Sequence, residues 1–260
     1  MSITAVYHLN VNCRDLDVSL GFYQSLLGYT PVVRTTPPPQ PGAAFGLQEA
    51  QWDAWILADT NAAAGQGGVV LDLLQWLVPA PEAAPAAAND GGFTGLLVDH
   101  PDPARIGDGE TRSDGTVLLT DPDGTLIEVR KGGRVRLAGL SIRVQDLQRA
   151  VTFYRDALDF DVTSEFGLTH KSNGFEVRLQ HAPENPGMSN ERKANWLGLF
   201  RLAFTTDDLD ADHQRLCEAG ALPYSDPVSL DMGPGLPDDL RCAFFGDPDG
   251  ACVELIEAPT

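Results

Sequence analysis

The sequence predicts an α+β protein made of four similar units, each a strand, a helix and three further strands, with two units in each half of the chain. The first observation behind this prediction is a repeat, since VYHLNVNCRDLDVSLGFYQSLLGYTP at 6–31 is echoed by LAGLSIRVQDLQRAVTFYRDALDFDV at 137–162. The second is that LLTDPDGTLIEVRK at 118–131 is echoed by FFGDPDGACVELIE at 244–257. Two unrelated segments that recur in the same order indicate a duplicated module. The third is composition, because 43% hydrophobic and 21% charged residues are typical of a folded globular protein.

Each half opens with a short strand followed by a helix. Apolar residues alternate over 3–11 and over 135–144, as in a strand with one buried face. Asp15 and Asp146 then stand where a helix N-cap is expected, and apolar residues recur at helical spacing after each of them. Gly28 is placed to end the first helix, because glycine adopts the left-handed conformation that closes many helices.

Further apolar runs continue the units. They predict strands at 52–57 and 69–76 in the first half, and at 162–167 and 175–180 in the second. The segment 95–110 carries prolines and glycines, so the helix of the second unit should be short or irregular.

The fourth unit has a helix and two final strands. The helix is predicted to be capped at Asp207 or Asp208 and to end at Gly220. Strands follow near 240–245 and 251–256, joined by Asp-Pro-Asp-Gly. Proline sets the backbone of the second turn position and glycine accepts the positive φ that closes a hairpin, so this tetrapeptide predicts a tight turn.

The tripeptide Lys131-Gly132-Gly133 is the predicted joint between the halves. It divides the chain into two modules, residues 1–131 and residues 135–258. Because a duplicated chain already contains two modules, we expect a monomer or a homodimer.

Charge and composition restrict the partners. The chain has 37 acidic and 18 basic residues, a formal net charge of −19, which disfavours nucleic acid and anionic membranes because both need a basic face. No segment approaches the roughly 18–20 apolar residues of a bilayer span, and the chain runs from Met1 into a strand without a signal-like segment. The four cysteines do not have the paired spacing of a disulfide framework, so we expect them to be reduced thiols. We therefore expect a cytoplasmic protein whose partner is a small molecule.

The repeated motifs resemble those of the vicinal oxygen chelate superfamily, which includes glyoxalase I, extradiol dioxygenases, fosfomycin-modifying enzymes and bleomycin-sequestering proteins. The resemblance is carried by the strand, Asp-Leu, helix and Phe-Tyr opening and by the Asp-Pro-Asp-Gly-x-x-x-Glu ending, each present twice. It covers nearly the whole chain. It implies that the four βαβββ units form two tandem curled mixed sheets, each around a cleft.

The resemblance also implies a set of metal ligands, because many members hold a divalent metal ion in the cleft. The first-strand ligand position falls on His8, the fourth-strand acidic position on Asp72, and the last-strand glutamate on Glu128 or Glu254. The fifth-strand histidine of the family falls on Arg201. If units pair across the halves, Glu254 and Arg201 join His8 and Asp72; if they pair within a half, Glu128 joins them instead.

Other roles for these residues stay open. His8 also suits a hydrogen-bonded interior position, and Glu254 also suits a salt bridge to Arg201 or Arg178, because a buried carboxylate needs a partner. Asp72 suits a metal ligand, a proton-transfer base or a partner of His8. Without a metal, a hydrogen-bonded His8 and Asp72 still provide a general acid–base pair.

The second half has fewer ligand candidates. Gly139 stands at the position of His8, and Arg178 at the position of Asp72, so we expect at most one working cleft. Arg178, Trp76 and Trp196 are candidates for substrate binding, the two tryptophans because they lie at the ends of predicted strands.

Two functions follow from the resemblance. The first is a metal-assisted lyase or isomerase of glyoxalase type that acts on a small carbonyl or hydroxy compound. The second is a metal-free protein that binds and sequesters a cationic or planar compound, as bleomycin-resistance proteins do, and the acidic charge favours it. An extradiol dioxygenase is disfavoured, because its iron site needs two histidines and a glutamate and no second histidine is in place.

Overall fold

The computed structural model describes residues 2–60, 68–83, 92–182, 193–236 and 239–257. Within these ranges the chain forms a first sheet of ten strands, a second sheet of eight strands and three α-helices. The α+β class predicted from the repeats is confirmed. No helix in these ranges is both long and apolar enough to span a membrane.

The first half contains two units. The elements of the first unit are β1 (Ile3–Asn12), α1 (Leu16–Leu27), β2 (Thr30–Thr35), β3 (Gln40–Pro41), β4 (Glu49–Ala58) and β5 (Val70–Val78). Those of the second are β6 (Gly92–His100), β7 (Glu110–Thr111), β8 (Val117–Thr120) and β9 (Leu126–Lys131). A short 3₁₀ helix at Pro103–Arg105 stands where the second unit's helix was predicted to be irregular, which confirms that prediction.

The second half repeats the plan. The elements of the third unit are β10 (Arg136–Val144), α2 (Leu147–Ala157), β11 (Phe160–Val162), β12 (Gly167–His170) and β13 (Glu176–His181). Those of the fourth are β14 (Gly198–Thr206), α3 (Leu209–Glu218), β15 (Leu222–Pro223), β16 (Val228–Leu230), β17 (Leu240–Gly246) and β18 (Cys252–Glu257).

The helices begin at the predicted caps. The side chains of Asp15, Asp146 and Asp208 each accept a hydrogen bond from the backbone amide three residues later, which satisfies an amide that has no partner within the helix. Gly28 ends α1 with a φ of 67°, the left-handed conformation that glycine adopts without strain.

The units pair across the two halves of the chain. In the first sheet, β1 of the first unit lies antiparallel to β14 of the fourth, and the order is β15-β17-β18-β14-β1-β5-β4-β2, with β16 also paired to β17 and β3 to β4. In the second sheet, β10 of the third unit lies antiparallel to β6 of the second, in the order β11-β12-β13-β10-β6-β9-β8-β7. Of the two pairings left open by the sequence, the structure therefore has the one across the halves.

The core lies between the two sheets. Leu9 and Leu71 of the first sheet and Val98 and Leu140 of the second belong to one buried apolar cluster. Side chains alternate along a strand, so the residues next to Leu9 and Leu71 point to the other face of the first sheet. That other face carries the candidate site.

Two tyrosine–aspartate contacts join the repeated motifs. The hydroxyl of Tyr23 in α1 donates to Asp121 in the β8–β9 turn at 2.9 Å, and that of Tyr154 in α2 donates to Asp247 in the β17–β18 turn at 3.0 Å. Each aspartate also accepts two backbone amide hydrogen bonds within its own turn. We call these contacts the Tyr–Asp clasps; each one fastens a helix of one unit to the final turn of the next.

Candidate functional site

Four polar side chains meet on the outer face of the first sheet. His8, Asp72, Arg201 and Glu254 come from β1, β5, β14 and β18, four neighbouring strands. Each of them alternates with core residues along its strand, so all four point away from the core between the sheets. All are buried, with no more than 7% of any residue exposed. We call this set the polar cluster.

Arg201 lies between the two carboxylates of the polar cluster. Its Nε donates to Glu254 Oε2 at 2.7 Å and its Nη2 donates to Asp72 Oδ2 at 2.7 Å. His8 Nε2 lies 3.1 Å from Glu254 Oε2 and 4.0 Å from Asp72 Oδ2. Asn10 supports Asp72 with a hydrogen bond of 3.0 Å from its side-chain amide. The imidazole is therefore close to Glu254, and the guanidinium joins both acids.

Electrostatics in the polar cluster favour the charged forms of Glu254 and Arg201. Burial alone would raise the pKa of Glu254, but Arg201 and His8 outweigh it and hold that pKa below its usual value. Burial alone would lower the pKa of Arg201, but Glu254 and Asp72 outweigh it and raise that pKa. Leaving His8 aside, one guanidinium and two carboxylates carry a formal charge of about −1.

A cavity of about 360 Å³ opens onto the polar cluster. Its walls are apolar and partly aromatic, and all four members of the polar cluster contribute to its lining. We call it the first-sheet cavity. The apolar wall residues are Val33, Phe45, Trp52, Ile56, Leu74, Leu230, Met232, Leu236, Leu240, Phe244 and Ile256.

A loop of the fourth unit closes one side of this cavity. Gln40 holds the loop through two hydrogen bonds to the backbone of Asp231, at 2.9 and 3.2 Å. The amide of Thr36 donates to the carbonyl of Met232 at 3.2 Å. Gly233 has a φ of 101°, and a Cβ there would lie 2.8 Å from the backbone of Thr36, so this close approach requires glycine.

Sequence reasoning missed cavity-wall residues in two segments, one in the first unit and one in the fourth. Leu230 and Met232 belong to a segment without a motif, and Phe45 belongs to a short 3₁₀ helix at Ala43–Phe45. Their shared signal is weak: apolar residues in segments rich in glycine and proline, which alone indicates only a loop.

Glu128 and Arg178 lie in the second sheet, away from the polar cluster. Arg178 Nη1 donates to Glu128 Oε1 at 2.8 Å, in a pair whose side chains are 32% and 19% exposed. Of the two arginines considered as partners of Glu254, Arg201 forms the salt bridge, and Arg178 pairs with Glu128 instead.

The two tryptophans proposed for substrate binding occupy other positions. Trp76 is buried and its indole donates to Asn12 at 3.2 Å, while the backbone of Trp196 forms a bridge with Glu82. Neither is among the described residues that line the first-sheet cavity, whereas Trp52 is.

The second sheet has two glycines at the matching register positions. His8 and Asp72 correspond there to Gly139 and Arg178, because each pair has the same place on equivalent strands. Arg201 corresponds to Gly95. Arg201 lies opposite Asn10, two residues after His8, and Gly95 lies opposite Ser141, two residues after Gly139. Only two of the four positions carry a side chain in the second sheet.

The polar cluster does not fit a divalent metal ion in its present arrangement. The carboxylate oxygens that would bind an ion, Asp72 Oδ2 and Glu254 Oε2, each accept a hydrogen bond from Arg201. A guanidinium has no acceptor atom and carries the charge that an ion would bring. Among the described residues, no three His, Cys, Asp or Glu side chains are arranged to hold a metal.

Part of the chain is similar in sequence to known proteins. Residues 136–255 match the family described as the glyoxalase/bleomycin resistance protein/dioxygenase superfamily. A probable lactoylglutathione lyase of Vibrio cholerae is 27% identical over 134 residues, which are 47% of this chain and 90% of the relative.

Solved structures resemble the whole chain. Glyoxalase I from Zea mays has a TM-score of 0.68 at 18% identity, with 98% of this chain and 92% of that chain covered. A putative dioxygenase from Bacillus subtilis has a TM-score of 0.65 at 13% identity, with 100% and 86% covered. At such identities these likenesses show a shared fold.

Proposed function

We propose that this chain, of which residues 136–255 match the glyoxalase/bleomycin resistance protein/dioxygenase superfamily, binds a planar, mostly apolar and cationic small molecule in the first-sheet cavity. One observation carries the proposal: an apolar, aromatic-walled cavity opens onto a buried cluster in which two carboxylates share one guanidinium. The superfamily's fold hosts many activities, so the function is argued from this site.

The size and walls of the cavity support a ligand of this kind. Its volume of about 360 Å³ lies within the roughly 300–1,000 Å³ of typical small-molecule pockets. Phe45, Trp52 and Phe244 present aromatic surface, which packs well on a flat ring system.

The charges of the lining support a cationic ligand. Among the described lining residues, Asp72, Glu254 and Glu257 are acidic, and Arg201 is the strongly basic one. A cation near these acids and over an aromatic face gains from both interactions. The net charge of −19 adds an attractive field at low ionic strength.

Titration with a matched pair of probes tests this function. We expect 9-aminoacridine, a planar cation, to bind saturably and to quench Trp52 fluorescence, and neutral acridone to bind more weakly. The affinity for the cation should fall as salt increases. Isothermal titration calorimetry gives the stoichiometry, which should be one per chain.

Two variants locate the site. M232W should fill the cavity and lower the affinity at least about tenfold, a loss of about 1.4 kcal/mol. W55F is the control for the location of the site, because Trp55 is on the same strand as Trp52 but packs against the core between the sheets. It should leave the affinity unchanged. Binding that neither saturates nor responds to M232W would overturn the proposal.

A second candidate is proton-transfer catalysis, and the contact between His8 and Glu254 favours it. An imidazole 3.1 Å from a carboxylate and in the lining of a cavity is suited to act as a general base toward a small carbonyl or hydroxy compound. The carboxylate lies beside the ring, and the buried setting limits competing water.

Turnover separates this candidate from simple binding. The hemithioacetal of methylglyoxal and glutathione is the probe, assayed with chelator-treated protein. A lyase or isomerase predicts turnover that H8Q lowers by about 10²–10⁴-fold. No turnover, together with saturable 9-aminoacridine binding, would leave the binding function alone.

A further inference from the structure

We infer that Arg201 takes the place of a divalent cation in the polar cluster and thereby keeps His8, Asp72 and Glu254 from binding one. The inference concerns the cation of the cluster, so it is tested independently of any molecule bound in the first-sheet cavity.

The distances show how close the acids and the imidazole are to a ligand set. Donor atoms on one zinc-sized ion lie about 2.0–2.2 Å from it, so two of them can be no more than about 4.3 Å apart. His8 Nε2 meets this limit with both Glu254 Oε2, at 3.1 Å, and Asp72 Oδ2, at 4.0 Å. The same two oxygens are those that Arg201 contacts at 2.7 Å.

Arg201 is held firmly in that position. It is 7% exposed, and its guanidinium carbon lies 5.9 Å from the ring centres of both Phe200 and Phe244. The aromatic contacts and the two ion pairs restrict the side chain on several sides. A metal ion could therefore reach the carboxylates only by displacing a buried ion-pair partner that donates a hydrogen bond to each of them.

Charge explains why removal of Arg201 should create a metal site. Without the guanidinium, two buried carboxylates lie near one imidazole and have no compensating cation. Such a set binds a divalent ion readily, because the ion restores the charge balance and its ligands are already close together.

Cobalt titration of Arg201 variants tests the inference. Bound Co²⁺ is detected by its visible absorption and by a rise in Tm. We expect R201H, which adds a fourth ligand, to bind one equivalent, and R201Q, which removes the charge but keeps a long side chain, to bind more weakly. The wild type and R201K, which both retain a cation, should bind none at this site.

Removal of His8 and titration of the wild type provide the controls. In R201H, the further change H8A should weaken Co²⁺ binding by more than the about 10–100-fold typical for the loss of an outer partner. If the wild type binds one equivalent of Co²⁺ that H8A abolishes, Arg201 does not exclude metal. If R201H and R201Q fold, as circular dichroism reports, yet bind Co²⁺ no better than R201K, the inference is wrong. The wild-type titration can still overturn the inference if both variants fail to fold.

Discussion

Arg201 and Arg178 each pair with a glutamate of the same sheet, but burial makes the two pairs differ in their effect on stability. The side chains of Arg201 and Glu254 are 8% and 4% exposed, whereas those of Arg178 and Glu128 are 32% and 19% exposed. Water can replace a lost partner in the second pair. In the first pair, a lost partner leaves a buried charge without compensation.

This difference predicts unequal losses of stability. R201M should lower the free energy of unfolding by about 3–5 kcal/mol, because Asp72 and Glu254 lose their shared cation. R178M, the matched control, should lower it by about 0–1 kcal/mol. Urea unfolding of both variants measures the two values, and equal losses would contradict the assignment of the buried pair.

At the scale of elements, the Tyr–Asp clasps explain why the Phe-Tyr and Asp-Pro-Asp-Gly motifs recur together. Each helix supplies a buried hydroxyl, and each turn supplies an aspartate that also accepts amide hydrogen bonds from its own backbone. Burial raises the pKa of Asp121 above its usual value, and burial together with nearby Asp249 raises the pKa of Asp247 to about 6. Hydrogen bonds to these carboxylates reduce the rise without cancelling it.

The raised pKa of Asp247 predicts a specific dependence of stability on pH. Since the folded pKa of about 6 exceeds the ordinary value of 3.8, the folded state binds this proton more tightly than the unfolded state. The stabilisation is complete below about pH 4 and is lost as the pH rises through 6, for a total of about 3 kcal/mol at about 1.36 kcal/mol per pKa unit.

The variant D247N isolates this contribution. Asparagine keeps an acceptor for the turn amides and cannot ionise, so its stability relative to the wild type should increase from pH 4 to pH 7. Urea unfolding at four pH values gives the difference between the two proteins. Parallel pH profiles would show that Asp247 does not titrate in this range.

At the scale of the whole molecule, each sheet is completed by strands from both halves. β1 has its partner β14 in the second half, and β6 has its partner β10 there. A separated half would therefore expose the edges of two strands that are central in the intact sheets. It would also expose the apolar face that packs between the sheets.

Division of the chain at the glycines of the joint tests this arrangement. We propose residues 1–131 and 135–258 as the two modules; residues 1 and 258 lie outside the described ranges. Co-expressed halves should purify together as a one-to-one complex through a tag on one of them. Light scattering measures the stoichiometry, and two folded monomeric halves that ignore each other would contradict the prediction.

The first-sheet site was only partly predictable from the sequence. His8, Asp72, Arg201 and Glu254 could be identified because the resemblance to the vicinal oxygen chelate superfamily places each of them at a ligand position of that family. Which glutamate joined them depended on the pairing of units. The loop walls at Leu230 and Met232 were missed, because a loop packed against a distant unit has no local periodicity.

The sequence by itself determined the duplicated units, the helix starts at Asp15 and Asp146, and the acidic charge, since these depend on neighbouring residues or on composition. Only the tertiary structure decided that the first unit pairs with the fourth and that Arg201 stands between two carboxylates. Strand pairing and ion pairing join residues far apart in the chain, and their partners are selected by the packing of whole sheets.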